Sequence, residues 1–281
     1  MIVSSALDRA AARLHDAGVT ENRREAASLL AFALQKPGSF LIAHPEYELE
    51  TAEAAFFVEI LDRRAGREPF QYITGHQEFF GLDFDLAPGV LIPRPETEIL
   101  VEAALKVFSG HDRPSFCEIG VGSGCISVSI LHNCATASAV GVEVSDAALT
   151  VALSNAEKHG VTARLDLRKG DVFDGIDRVF DIIVSNPPYI SDADLSTLQR
   201  EVRDYEPRIA LSGGVDGLDT IRRVVAGAPD HLVSGGFLLM EIGFDESDQV
   251  EKLFDSTLWR SVEFMADLQG FPRIVKAEVA E

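Results

Sequence analysis

The chain has 281 residues, 46% of them apolar, with 25 Lys and Arg against 45 Asp and Glu for a formal net charge of −20. That length suits one large domain or two ordinary ones with a sizeable core, and the apolar content excludes a disordered chain. The charge opposes stable binding to nucleic acid or to an anionic membrane, and no stretch approaches the roughly 18 apolar residues of a membrane span.

Asp8 and Arg9 arrive too early for a signal-peptide core, so a cytoplasmic protein is expected. Cys117, Cys125 and Cys134 are odd in number and lack CxxC spacing, which predicts small buried hydrophobes rather than a zinc site, and no metal is expected.

In chain order, residues 1–75 predict an all-helical module. Ile2, Ala6, Leu7, Ala10, Ala11 and Leu14 share one helical face, and Gly18 ends that helix. Thr20 is expected to cap a second helix carrying Ala26, Leu29, Leu30 and Ala33, which stops near Lys36-Pro37-Gly38. A third runs from Thr51 through Phe57, Ile60 and Leu61 to Ala65-Gly66. Residues 77–86 then switch to a short hairpin around Gly81, and Pro88-Gly89 breaks the chain. The expected division is therefore a helical domain over 1–75, a hairpin linker over 76–90 and a sheet domain over 91–281.

From residue 114 strands and helices alternate. Strands are expected at Ser115–Ile119, Ser138–Val144, Ala163–Arg168, Phe180–Ser185, Gly236–Ile242, Ser261–Met265 and Arg273–Ala277. Helices are expected at Gly124–Leu131, Asp146–His159 and Gly217–Leu232. Such alternation predicts an α/β domain with a mostly parallel sheet covered on both faces.

Three features in this domain carry chemistry. Residues 118–124 read Glu118-Ile119-Gly120-Val121-Gly122-Ser123-Gly124 after the first strand. A dinucleotide fingerprint would need glycine at 125, which is Cys125. The acidic-x-G-x-G-x-G variant is instead the usual S-adenosylmethionine loop of doubly wound sheets, whose ligand has no pyrophosphate to cradle; a merely tight strand–helix turn is the alternative. Glu143 ends the next strand, where a carboxylate can accept both ribose hydroxyls. Asp171 follows the third strand and either accepts the adenine amino group, with Val172 against the ring, or caps a turn.

The third feature is Asn186-Pro187-Pro188-Tyr189 after the buried strand FDIIVS. The prolines fix the backbone, so the Asn186 side-chain carbonyl and the Pro187 backbone carbonyl can grip both hydrogens of one planar amino group, with Tyr189 stacked on it. An amide or aromatic amine is a poor nucleophile because its lone pair is delocalised. Two acceptors can turn that lone pair toward a methyl donor and stabilise the positive charge that develops on nitrogen.

Together these features resemble class I methyltransferases acting on a planar nitrogen. The flanking segments narrow the resemblance. Glu78-Phe79-Phe80-Gly81-Leu82, Leu91-Ile92-Pro93-Arg94-Pro95-Glu96-Thr97-Glu98, Glu201-Val202-Arg203-Asp204-Tyr205-Glu206-Pro207 and Gly213-Gly214-x-Asp216-Gly217-Leu218 are similar to the signatures of the release factor glutamine methyltransferases, the PrmC/HemK family. The resemblance covers nearly the whole chain. It implies a Rossmann-like class I methyltransferase domain with a mostly parallel seven-stranded sheet, and a small helical N-terminal domain that helps dock the substrate.

The implied reaction moves a methyl group from S-adenosylmethionine to the side-chain nitrogen of the glutamine in the Gly-Gly-Gln motif of class I peptide chain release factors, leaving S-adenosylhomocysteine. The implied substrate residues are Asn186, Pro187, Pro188 and Tyr189, and Gly120 to Gly124 with Glu143 are the implied cofactor residues. Glu118 stands where Asp is commoner, and Val172 where a bulky aromatic often covers adenine. Arg94 and Glu96 either line the site or anchor the Pro-x-Pro turn. A monomer is expected.

The same tetrapeptide would also serve a nucleic acid amino-methyltransferase of DNA adenine or RNA guanine, which must flip a base and grip phosphates. Residues 1–90 carry 8 basic and 14 acidic side chains and residues 91–281 carry 17 and 31, so neither part offers an obvious basic stripe.

Overall fold

A computed structural model describes residues 1–280, which divide into two compact units. The first comprises Met1–Gly75 with Gln199–Tyr205, and the second His76–Leu198 with Glu206–Glu281.

The first unit is helical: α1 (Val3–Asp16), α2 (Asn22–Leu34), α3 (Gly38–Ala43), α4 (Thr51–Ala65) and α5 (Phe70–Thr74). Its core forms because apolar residues recur at helical spacing; Val3, Ala6, Ala10 and Leu14 of α1 meet Leu29 and Leu30 of α2 and Phe57 and Ile60 of α4 in one buried cluster. A capping box starts α4, with Glu50 and Glu53 each accepting from the other's backbone N–H.

Thr20 does not cap α2. The turn runs one residue further, Glu21 stands at the N-cap without a side-chain cap bond, and Asn22 instead donates back to the carbonyls of Val19 and Thr20. Both α3 and α5 are too short to show a periodic pattern in sequence.

The second unit opens with β1 (His76–Phe79) and β2 (Leu82–Asp85), an antiparallel hairpin whose two turn residues, Phe80 and Gly81, are both left-handed. This segment is more than a tether. Phe79 and Phe84 are buried in the core of the second unit, and the Asp85 N–H donates to Asn155 Oδ1 at 2.8 Å. The chain continues through α6 (Glu98–Phe108), β3 (Ser115–Ile119), α7 (Cys125–Asn133), β4 (Ser138–Glu143), α8 (Asp146–Lys158), β5 (Leu165–Lys169) and β6 (Phe180–Ser185). Next come α9 (Arg200–Tyr205), which groups with the helical unit, and then α10 (Asp219–Gly227), β7 (Leu232–Glu241), α11 (Ser247–Glu251), β8 (Trp259–Ala266) and β9 (Pro272–Val279).

The seven-stranded sheet has the order β5-β4-β3-β6-β7-β9-β8, with the first five parallel and β9 antiparallel to both its neighbours. One face is covered by a cluster that includes Leu100, Val101, Ile126 and Ile130, the other by one that includes Ile221, Val224 and Val250. This is the Rossmann-like arrangement expected. The sequence reading missed α6, which hides behind the prolines of residues 93–95. It also started the third strand early, because residues 162–164 form a single 3-10 turn before β5. The chain leaves β3 toward β4 and leaves β6 toward β7, so the strand order reverses between β3 and β6. Ligands of open parallel sheets bind at such a reversal, beyond the strands' carboxyl ends.

Candidate active site

Both signature loops sit at that reversal. The glycine loop follows β3 and Asn186-Pro187-Pro188-Tyr189 follows β6, and Ser185 Oγ ties the two strand ends by donating to the Ile119 carbonyl at 2.8 Å. Gly120, Gly122 and Gly124 have φ of +76°, +57° and +80°, the left-handed region that favours glycine. Gly124 has a second reason to lack a side chain. A Cβ there would lie 3.2 Å from that of Ala152, so α7 and α8 could not approach as they do.

A cleft of about 320 Å³ opens over these loops. Gly120, Gly122, Glu143, Asp171, Val172, Asn186 and Pro188 line it. Glu143 is nearly buried and is already oriented: its Oε2 accepts from the Gly122 N–H and its Oε1 from the Ser145 N–H, both at 2.9 Å. One lone pair on each oxygen remains for a pair of hydroxyls. Asp171 is half exposed and ion-paired with Arg223 at 2.9 Å. Val172 holds φ at +56°, a conformation a β-branched residue rarely adopts, against the cleft wall.

Glu118, Val121 and Ser123 are buried and do not line the cleft. Val121 packs against Gly141, and the Ser123 carbonyl accepts from Asn155 Nδ2. Glu118 is fully buried; its Oε2 accepts from the N–H and the hydroxyl of Ser127, whereas its Oε1 is buried without a partner. Burial, with the nearby Glu143 adding to it, pushes the Glu118 carboxyl up to about 8 against the pull of the Ser127 bonds. A left-handed glycine loop beside Glu143, a carboxylate already oriented with a lone pair free on each oxygen, fits a ligand that carries a ribose.

On the β6 side, Asn186 Nδ2 donates to Thr97 Oγ1 at 3.1 Å and Tyr189 donates its hydroxyl to Glu241 Oε1 at 3.2 Å. Burial, with Glu241 beside it, raises the Tyr189 phenol well above its ordinary value, so it stays protonated. Pro187 is buried and Tyr189 packs against the core on the α10 face. Arg94 is not among the cleft-lining residues described. Its guanidinium pairs with buried Glu206 at 2.6 Å, and Glu206 also accepts from the Ile92 N–H at 3.1 Å. That geometry anchors the Pro-x-Pro turn.

Sequence reasoning missed Thr220 and Arg223 of α10 and Pro207, Ile209, Ala210 and Ser212 as parts of the cleft wall. It also missed Glu241, although a single carboxylate closing the apolar run GFLLM was a visible signal. The cysteines are all free, with Cys117 and Cys125 buried.

Comparison with known proteins bears on both units. The family model for the PrmC N-terminal domain matches residues 5–75, and that for the methyltransferase small domain matches residues 96–204. The chain is 39% identical over 277 residues to a release factor glutamine methyltransferase of Koribacter versatilis, covering 98% of each chain. It is 43% identical over 278 residues to one from Geobacter sulfurreducens, covering 99% of this chain and 96% of the other.

Among solved structures, the hMettl16 catalytic domain in complex with a 3'UTR hairpin superposes with a TM-score of 0.60 at 16% identity, over 89% of this chain and 92% of that one. A T. thermophilus 16S rRNA methyltransferase (RsmC) in complex with AdoMet and guanosine gives a TM-score of 0.53 at 19% identity, over 72% of this chain and 49% of that one. These structural likenesses bear on the fold alone.

Proposed function

The chain belongs to the release factor glutamine methyltransferase family, and on that premise we propose that it methylates the side-chain nitrogen of the glutamine in the Gly-Gly-Gln motif of class I peptide chain release factors, with S-adenosylmethionine as the donor. The observation that carries this reading is the orientation of Asn186. Its Nδ2 is committed to Thr97, so the group it has left to offer the cleft is a carbonyl, next to the glycine loop.

When bound, S-adenosylmethionine supplies a methyl group on a strongly electrophilic sulfonium. Glu143 would hold the ribose hydroxyls, the backbone of Gly120 to Gly124 would close over the ligand, and Asp171 and Val172 would meet the adenine, while Glu118 supports the loop from within the core through Ser127. Asn186 Oδ1 and the Pro187 carbonyl accept the two amide hydrogens of the glutamine, and the Pro188-Tyr189 surface supports its plane. The lone pair is thereby directed at the methyl carbon and positioning supplies most of the rate. The carbonyl dipoles stabilise the charge that develops on nitrogen, and the proton leaves to water afterwards. The helical unit helps dock the factor, and the enzyme works as a cytoplasmic monomer.

Relatives named for a release factor substrate and the net charge of −20 both favour a protein acceptor over DNA adenine or RNA guanine. Incubation with methyl-labelled cofactor and a release factor, DNA and RNA as competing acceptors tests this. Label is expected in the factor; label in either nucleic acid in preference to it overturns the proposal.

A further inference from the structure

Asn186, Thr97, Glu241 and Tyr189 form one continuous chain of hydrogen bonds. Asn186 Nδ2 donates to Thr97 Oγ1 at 3.1 Å, Thr97 Oγ1 donates to Glu241 Oε2 at 2.6 Å, and the Tyr189 hydroxyl donates to Glu241 Oε1 at 3.2 Å. Thr97 and Glu241 are each 2% exposed. The sheet register puts them there: Ser185 of β6 lies beside Met240 of β7, so the residues that follow, Asn186 and Glu241, emerge side by side. Thr97 arrives from the turn that opens α6.

We propose that Thr97 and Glu241 are positioning residues for methyl transfer, fixing which end of the Asn186 amide faces the cleft and holding the Tyr189 ring from the same carboxylate. This rests on the reading of Asn186 and Tyr189 as the glutamine-binding pair.

The argument is one of proton inventory. Burial raises the Glu241 carboxyl against the pull of the Thr97 and Tyr189 hydroxyls and of Arg273; in its ionised form it can only accept, so it takes the single hydroxyl proton of Thr97. Thr97 is then left with lone pairs for its other neighbour and can only accept from Asn186. Asn186 must therefore offer Thr97 its NH₂, and its carbonyl turns to the cleft. The reverse orientation would place an NH₂ against the substrate's own NH₂, two donors face to face. The negative charge at the end of the chain also polarises the Asn186 amide, which strengthens Oδ1 as an acceptor when positive charge develops on the substrate nitrogen. Arg273 is the cation beside Glu241, and Glu96 is a further carboxylate near it.

Three variants test this. Thr97→Val removes the hydroxyl at nearly constant shape, Thr97→Ser keeps it, and Glu241→Gln leaves one acceptor and one donor where two acceptors stood. Thr97→Val and Glu241→Gln are expected to lower kcat by about 10- to 100-fold while cofactor Kd changes less than about twofold, and Thr97→Ser is expected to restore most of that loss.

A second readout needs no activity. In ¹⁵N spectra of the folded protein, the Asn186 side-chain NH₂ signals should be shifted and exchange-protected in wild type and Thr97→Ser, and should lose both properties in Thr97→Val. Wild-type kcat in Thr97→Val, an equal loss in Thr97→Ser, or Asn186 signals indifferent to the hydroxyl would each overturn the proposal. Failure of the wild type to methylate a release factor would overturn the functional reading instead, and the Asn186 signals would still decide the orientation chain.

Discussion

Asn186 and Glu118 show how much a single side chain's surroundings decide. Asn186→Ala removes one of two acceptors without touching Glu143 or the glycine loop, so methyl transfer should fall about 100-fold or more with cofactor affinity retained; near wild-type turnover would remove its catalytic role. Glu143→Ala should act the other way and weaken cofactor affinity, which calorimetry would read directly; unchanged affinity would reject the ribose contact. Glu118 gives a pH signature. Its carboxyl is raised to about 8 in the fold, so the folded protein keeps a proton that the unfolded chain releases in the ordinary carboxylate range. Its contribution to stability is complete below that range and is lost as pH rises toward 8. Without bound cofactor, Glu118→Gln should therefore lose less Tm than wild type between about pH 5 and about pH 8, and parallel curves would contradict this. Glu118 and Asn186 were legible in the sequence because each adjoins a glycine or proline motif at a strand end, and Glu143 because it closes the strand that follows the glycine loop. Thr97 and Glu241 were not, because they lie 144 positions apart and meet only where the turn that opens α6 packs at the end of β7.

Among the elements, α4 carries the clearest test. Its Arg64 is buried, paired with Glu25 of α2 and with Glu201 of α9, the latter at 2.9 Å, while Arg67 holds the other Glu201 oxygen at 2.6 Å. Arg64→Ala would leave Glu25 without its cation at a largely buried position, at a cost of about 3 kcal/mol. Hydrogen exchange of the α2 and α4 amides should accelerate accordingly, and this local measurement suits a chain with two units better than one global midpoint. Exchange unchanged from wild type would show the pair to be energetically idle. At this scale legibility followed periodicity. The boundaries of α4 and β6 were readable because a helical stripe and an unbroken apolar run are strong patterns. The short α3 and α5 present no full stripe, and α6 is masked by Pro93 and Pro95. Nothing in local pattern could place α9 with the helical unit, since Glu201 finds its partners more than 130 positions away.

For the whole molecule, a net charge of −20 bears on how a partner is met. The glutamine loop of a factor that works inside the ribosome should sit among basic residues, and an acidic enzyme would steer such a partner into encounter. Association with the release factor should therefore slow as salt rises, as a stopped-flow series would show; a salt-independent on-rate would remove the steering idea. A family match falls on the helical unit, over residues 5–75, and another within residues 96–204. The central claim, that two carbonyls present a glutamine amide to the methyl donor, is tested most directly by locating the transferred methyl. Tandem mass spectrometry of the release factor after reaction should place it on the side-chain nitrogen of the Gly-Gly-Gln glutamine. A methyl group found on any other atom of the factor would contradict the account.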